Sequence, residues 1–429
     1  MQPSLTGLLV CGALLLAGHR LNGALIVGLI ASLAFGSTAV ATLTAIGGAT
    51  PLIYTFFAGV LVLAAAARRS VWRDLGGVFG RLRSIWALCA LTLYIAIGAL
   101  LFPRLLLGRT SVFVLADSRE GIVESTLAPV SGNITQTGYF GVSALTAIAL
   151  CVLLLREDRL EQVRRGFMLF CLLHAGMGLI DLAGKLAGAG DLLAPLRTAG
   201  YAMLTEQVSA GFARVNGAFP EASAFSAASL ACLAFCYTYW RHTGDRLARW
   251  LTLTLLGLLL LSTSSTAYGG LLVLGTAAAF GICRSLASDR LQGDDLRILG
   301  LLALGAALIL ALAVYSEAAL EPVADLIDAS LIGKASSASG QERAYWNLKS
   351  LQAFLDSGAL GIGMGSSRAS SWPVAVLSQL GLLGAVLMAA LLVVIARGLA
   401  ASRAGPTPGP APSWPASAPP PWRASWPHR

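Results

Sequence analysis

Apolar residues run along this chain in long blocks separated by short polar connectors. At about 20 residues per bilayer crossing, these blocks predict about eleven membrane-spanning helices. The spans fall near residues 4–18, 21–41, 51–67, 84–102, 138–155, 166–183, 219–239, 250–264, 266–283, 298–315 and 373–396. The stretch from Ser339 to Trp372 has a different period. Ser339 with Glu342 forms a capping-box pattern, Ala344, Leu348, Leu351 and Leu355 share one helical face, and Gly358 offers a stop. Such a helix is expected to lie on a surface rather than cross a membrane. It is either a connector that covers hydrophobic area or a functional loop carrying Arg343, Lys349 and Arg368.

Composition turns this pattern into a fold class. With 56% hydrophobic and 12% charged residues and a mean hydropathy of +0.74, the chain is too apolar for a soluble domain. We expect an all-α, polytopic integral membrane protein over residues 1–397, with external loops near 103–137, 184–218 and 316–372. The first apolar run, Leu5 to Ala17, lacks the charged start and cleavage site of a signal peptide and is expected to be retained. Residues 398–429, rich in Pro and Trp, have no helical period and are expected to form a disordered cytoplasmic tail.

The net charge of +9 raises the question of nucleic acid, but the arginines cluster in short connectors. Those at 68–83, 156–165, 240–249 and 284–297 fall on one side of the predicted alternation, as positive-inside topology requires. No nucleic-acid partner is expected. The seven cysteines sit in apolar runs without a C-x-x-C pair, and the four histidines have no acidic neighbour at ligand spacing. Neither a metal nor another cofactor is expected.

Candidate chemistry lies in the outer connectors. Arg214-Val-Asn-Gly-Ala-Phe-Pro-Glu-Ala-Ser223 places a cation ahead of an acid at a helix start, with Pro220 in the first turn. Glu221 either caps the helix or acts as a general base or sugar ligand. The polar knot Leu261 to Gly270 either forms a tight hairpin or bends inward beneath the loops. Gly361, Gly363 and Gly365 allow close backbone approach, but no P-loop or dinucleotide fingerprint accompanies them. The following Ser366 to Ser371 adds hydroxyls and Arg368, suited to phosphate oxygens. His174, Asp181 and Lys185 line one face of the sixth span, where an Asp–Lys pair reads as structural.

Three of these segments, Arg214 to Ser223, Leu261 to Gly270 and Arg343 to Gly384, resemble in order the O-antigen ligase and polymerase family of membrane glycosyltransferases. The RxxGxFxExS-like segment and the glycine turn followed by LSQLGLLG are similar to its exopolysaccharide polymerases. Ser265 stands where many members carry arginine, and no histidine follows the glycine turn as it does in ligases. A further hydrophobic span usual after the last one is replaced by the Pro-rich tail, as an altered reading frame would produce. The resemblance implies a GT-C-like fold and polymerisation of polyprenyl-diphosphate-linked repeat units at the outer face of a bacterial inner membrane. Implied partners are the lipid-linked glycan, membrane lipids, a chain-length regulator and a flippase. The implied roles are Arg343 and Arg368 on the diphosphate, Glu221 and Arg214 in catalysis, and Ser223, Trp346, Gly361, Gly363 and Gly365 in support. The alternatives are a ligase acting on a lipid or protein acceptor, or a transporter of lipid-linked glycan.

Overall fold

A computed structural model of the protein describes residues 2–46, 48–115, 122–201, 203–205, 208–209, 212–287, 300 and 338–403. The described residues form twelve α-helices. They are α1 (Leu5–Arg20), α2 (Ala24–Ser32), α3 (Ile53–Ala66), α4 (Val71–Arg81), α5 (Arg83–Leu105), α6 (Ser131–Leu153), α7 (Asp158–Leu186), α8 (Ala222–Thr243), α9 (Arg246–Leu261), α10 (Ser265–Ala287), α11 (Ala338–Asp356) and α12 (Trp372–Arg403). Three small antiparallel pairs complete the fold: β1 (Gln2–Pro3) with β2 (Ala41–Thr42), β3 (Ser111–Leu115) with β4 (Ile122–Thr126), and β5 (Val208–Ser209) with β6 (Phe212–Ala213).

Six helices, α5, α6, α7, α8, α10 and α12, are long and apolar enough to cross a membrane. A seventh span is reached if α3 and α4 count together, but they meet at 107°. Apart from residue 300, the predicted span at 298–315 lies outside the described residues. Large apolar side chains such as Leu63, Leu272 and Phe280 are exposed, which suits lipid contact and would be unusual in water. The chain therefore has the features of a membrane-embedded protein.

Two interiors hold most of the helices together. The larger joins α1, α2, α3, α6, α7, α8 and α9 around the fully buried Phe57, Ile26, Ile53 and Leu61. Gly28 allows the Phe57 ring to approach its backbone, since a Cβ there would lie 2.3 Å from the ring. The smaller joins α5 and α12 through Leu91, Ile95, Leu380 and Leu391. Lipid tails are as apolar as these side chains, so close packing rather than water exclusion drives such contacts within a bilayer.

The local boundaries have identifiable causes. The Ser4 hydroxyl accepts from Gly7 N–H at the start of α1, and the Asp245 carboxylate accepts from Ala248 N–H at the start of α9. Gly244, at φ +70°, closes α8. Gly358, at φ +64°, follows α11 as the expected stop.

Two expectations are corrected, at the block 21–41 and at Ser339, and two connectors contain secondary structure. The apolar block 21–41 is helical only to Ser32; beyond it Ser37 and Thr38 donate to the Ala218 and Leu196 carbonyls, so this non-helical stretch is tied to distant loops. Residues 71–81 form α4, across the end of the bundle, with Val78 packed against Ile85 and Val152. The connector after α5 contains the β3–β4 hairpin. Ser339 is not an N-cap, because α11 already begins at Ala338.

The register of α11 differs as well. Ser350 and Ala353 are buried, whereas Leu348, Leu351 and Leu355 are exposed. Small residues let the helix approach the body closely, while the leucines point away.

Candidate functional site

The segment from Arg214 to Glu221 is positioned by a buried carboxylate. Asp181, near the end of α7, accepts from the N–H groups of Asn216 at 2.7 Å and Gly217 at 3.1 Å. It also pairs with Lys185 at 3.0 Å and Arg197 at 3.4 Å. Lys185 donates in turn to the Arg214 carbonyl and Arg197 to the Gly217 carbonyl. The Asp–Lys pair is thus structural, and what it holds in place is the candidate loop. Four donors converge on one carboxylate, which compensates the cost of burying it.

This anchoring brings Arg214 to the start of α8. Glu221 occupies the N-cap position, yet its side chain makes no capping bond and instead accepts from the Ser223 hydroxyl. Burial pushes the Arg214 guanidinium below the usual arginine range; Glu221 opposes that shift and Arg343 adds to it. Tyr268, on α10, also acts on Arg214 electrostatically. A second cation, an acid and a phenol from three segments therefore lie within electrostatic reach of Arg214, at the end of the bundle opposite the arginine clusters.

The polar knot packs against α8. Ser262, Thr263 and Ser264 are all buried, and the Ser262 hydroxyl donates to the Leu259 carbonyl and contacts Ser226. The turn both closes the end of α9 and bends inward. The Thr263 and Ser264 hydroxyls and the Asn216 side-chain oxygen are buried without a hydrogen-bond partner. Unmet polar groups in a dry interior are costly, so sites that retain them are candidates for polar ligands.

The glycine turn has a different role. Gly361, Gly363 and Gly365 all have positive φ, between 79° and 90°. A Cβ on Gly361 would lie 2.4 Å from the Gly381 nitrogen, and one on Gly365 would lie 2.2 Å from the Gly132 carbonyl. The turn fills a break in α12, where Gly381 has φ 68° and ψ −172°. Across that break, the N–H groups of Ile362 and Gly363 donate to the carbonyls of Ser378 and Gln379, and Leu382 N–H donates to Ala359. Gly365 N–H donates to the Gln379 side chain. Asn133 donates to Met364 and Ser366 at 2.8 Å each. These N–H groups face protein acceptors, so the turn is a scaffold that joins α5, α6 and α12.

Arg368 and Trp346 lie beside this scaffold. The Arg368 guanidinium lies 5.6 Å from the Trp346 ring, and Arg368 N–H donates to the Phe113 carbonyl at 3.0 Å. Trp346 also meets the Phe113 ring at 6.1 Å, so it packs on the β3–β4 hairpin instead of lining an open lipid surface. Arg343 is one turn before Trp346 on α11, while Arg368 approaches from the loop that follows the glycines. The structure therefore places Arg343 within electrostatic reach of Arg214, and Arg368 against Trp346.

The hairpin secures α11 from its other side. Glu124 meets Lys349 at 3.1 Å and accepts from Tyr345 at 3.0 Å, and Thr110 donates to Asp356. Hydrogen bonds from Ser111, Lys349 and Tyr345 hold the Glu124 carboxyl below the usual carboxylate range. His174 lies away from this group. It is buried, bonded to Ser229 at 2.7 Å and stacked on Phe225 at 4.6 Å, as a packing histidine.

Among the described residues no cluster of His, Cys, Asp or Glu could hold a metal ion. Arg197, Tyr268 and Glu124 are not legible as site residues in the sequence, because nothing in their local context marks their distant partners. Comparison with protein families, curated proteins and solved structures gave no match.

Proposed function

We propose that the protein polymerises polyprenyl-diphosphate-linked oligosaccharide units at the outer face of a bacterial inner membrane. The observation that carries this reading is that Glu221 and Arg343 both act electrostatically on the half-buried Arg214 at one end of an apolar bundle, which also contains buried hydroxyls without partners. A carrier of this kind presents diphosphate at the membrane surface and an apolar chain within it. Guanidinium groups above lipid-facing helices suit both parts.

In this reading Arg343 and Arg214 neutralise the diphosphate, with Arg368 at the rim on Trp346. A hydroxyl of one glycan attacks the anomeric carbon of another, the bond from that carbon to the diphosphate oxygen breaks, and Glu221 takes the hydroxyl proton. The diphosphate departs as an anion held by arginine, so the step is a metal-independent, inverting transfer. The reading includes a membrane glycosyltransferase fold of about eleven spans, with chain-length regulator and flippase as partners.

Purified full-length protein in liposomes with polyprenyl-diphosphate oligosaccharide supplies the test. The reading predicts longer lipid-linked chains and their loss in Glu221→Gln. Unchanged length with transfer to a different acceptor would mark a ligase. Movement between leaflets without a new bond would mark a transporter. Either result would overturn the proposal.

A further inference from the structure

The opposite end of the bundle contains a cavity of about 520 Å³, where the turn between α1 and α2 meets the ends of α3 and α6 and the start of α7. His19, Arg68, Arg159 and Gln162 supply its polar lining, and Ile26 and Leu153 part of its apolar lining. The Nη1 of Arg68 and the Nε of Arg159 are sealed from solvent with no hydrogen-bond partner. A charged donor buried in this way is costly unless an acceptor reaches it.

The neighbouring carboxylates are turned elsewhere. Asp74 meets Arg68 only at 3.8 Å, and through the other terminal nitrogen. Asp158 pairs with Arg156 at 3.2 Å, and Glu161 is shared by Arg164 and Arg165. Arg68 and Arg156 act on Arg159 as like charges, offset only by Asp158. The cavity also receives the start of α2, where Gly23 is the N-cap and has no side chain to accept from the first-turn N–H groups. The positive end of a helix thus faces the same space as two guanidinium groups.

We propose that this cavity binds a phosphate ester anion at the arginine-rich end, separate from the Arg214 group. The phosphate oxygens would bridge Arg68 and Arg159 and meet the N-terminus of α2. The volume, room for on the order of fifteen waters, exceeds what a lone phosphate fills. Together with Ile26 and Leu153 it fits a lipid headgroup with its glycerol and the first acyl carbons.

The full-length protein in detergent can be titrated with short-chain phosphatidylglycerol, short-chain phosphatidylcholine or sodium phosphate while thermal unfolding is followed by tryptophan fluorescence. A saturable rise in Tm with phosphatidylglycerol, larger than with phosphatidylcholine, supports the site with lipid as its source. An equal rise with sodium phosphate supports it with free phosphate as the source. Arg68→Gln/Arg159→Gln should abolish the rise, and Arg159→Gln alone should weaken apparent affinity about tenfold. Arg109→Gln, on an exposed loop at the far end, should leave it unchanged. If the double variant does not fold, the single variant decides. An undiminished rise in the folded variants, or none in the unaltered protein, would overturn the proposal.

Discussion

The two ends of the bundle differ in their ion pairs, although both carry long-range hydrogen bonds, such as Arg165 to the Leu21 carbonyl and Gln162 to the Asn22 carbonyl at the arginine-rich end. At the arginine-rich end, ion pairs are local: Glu161 holds Arg164 and Arg165 at i+3 and i+4, and Asp158 holds Arg156. At the other end, the ties join segments far apart in the chain. Asp181 reaches Asn216, Asn133 reaches Ser366, and Tyr345 reaches Glu124 across 221 residues. Local pairs decorate helices that would form without them and contribute little. Long-range ties at the end opposite the arginine clusters fix loops that have no helix to shape them, and there the candidate site is held to one geometry.

The largest expected effect breaks that end at its anchor. Asp181→Ala leaves Arg197, with only 3% of its side chain exposed, without its buried carboxylate and with only the more exposed Asp191 beside it. Removing one member of a buried pair costs about 3–5 kcal/mol. Folded yield, read by size-exclusion profile, should fall sharply, whereas Glu161→Ala at the basic end should change it little. Similar losses from both would remove the contrast.

Gly365→Ala tests the scaffold. Its φ of +79° and the 2.2 Å approach of a Cβ to the Gly132 carbonyl leave no room for a side chain. The backbone strain alone costs about 1–3 kcal/mol, so thermal stability should drop. Ala359, at φ 64°, already carries a side chain in the left-handed region at the start of the same turn. Ala359→Gly relieves that strain and should be neutral or slightly stabilising in the same assay.

Arg343 is exposed, so Arg343→Lys should keep normal folded yield while lowering polymer formation about ten- to a hundredfold, the worth of a lost bidentate contact at about 1.5–3 kcal/mol. Equal polymer yield at equal expression would remove Arg343 from the site.

The smallest effect concerns the hairpin. Because the Glu124 carboxyl is held low, its contact with Lys349 is complete above the ordinary carboxylate range and is lost as pH falls through the lowered value. Proteolysis of the hairpin should therefore quicken only in acid, and Glu124→Gln should give the acid rate at neutral pH. A pH-independent rate would show that the pair does not hold the hairpin to α11.

What is legible in the sequence follows the same division. The long apolar helices and the clustering of arginine at one end are local properties, and hydropathy carries them; it carries cysteine burial only in part, since Cys11, Cys171, Cys232 and Cys236 are buried while Cys89 and Cys151 are half-buried and Cys283 is exposed. The end of α2 at Ser32, the β3–β4 hairpin and the register of α11 depend on contacts with distant loops. Leu348, Leu351 and Leu355 read as the packing face because they are the most apolar, yet Ser350 and Ala353 are small enough to approach the body. The positive φ at Gly361, Gly363 and Gly365 agrees with their predicted close approach, but their partner, the break at Gly381, lies in a stretch that reads as uninterrupted helix.

The central claim is that Arg214 and Arg343, which come from distant segments and act on one another electrostatically, bind one diphosphate. Its most direct test is the affinity of the detergent-purified protein for polyprenyl diphosphate, measured for the unaltered chain, Arg214→Gln, Arg343→Gln and the double variant. Each single variant should lose about tenfold or more in affinity. The double variant should lose less than the product of the two, because the residues share one ligand. Unaltered affinity in both folded single variants would contradict the account.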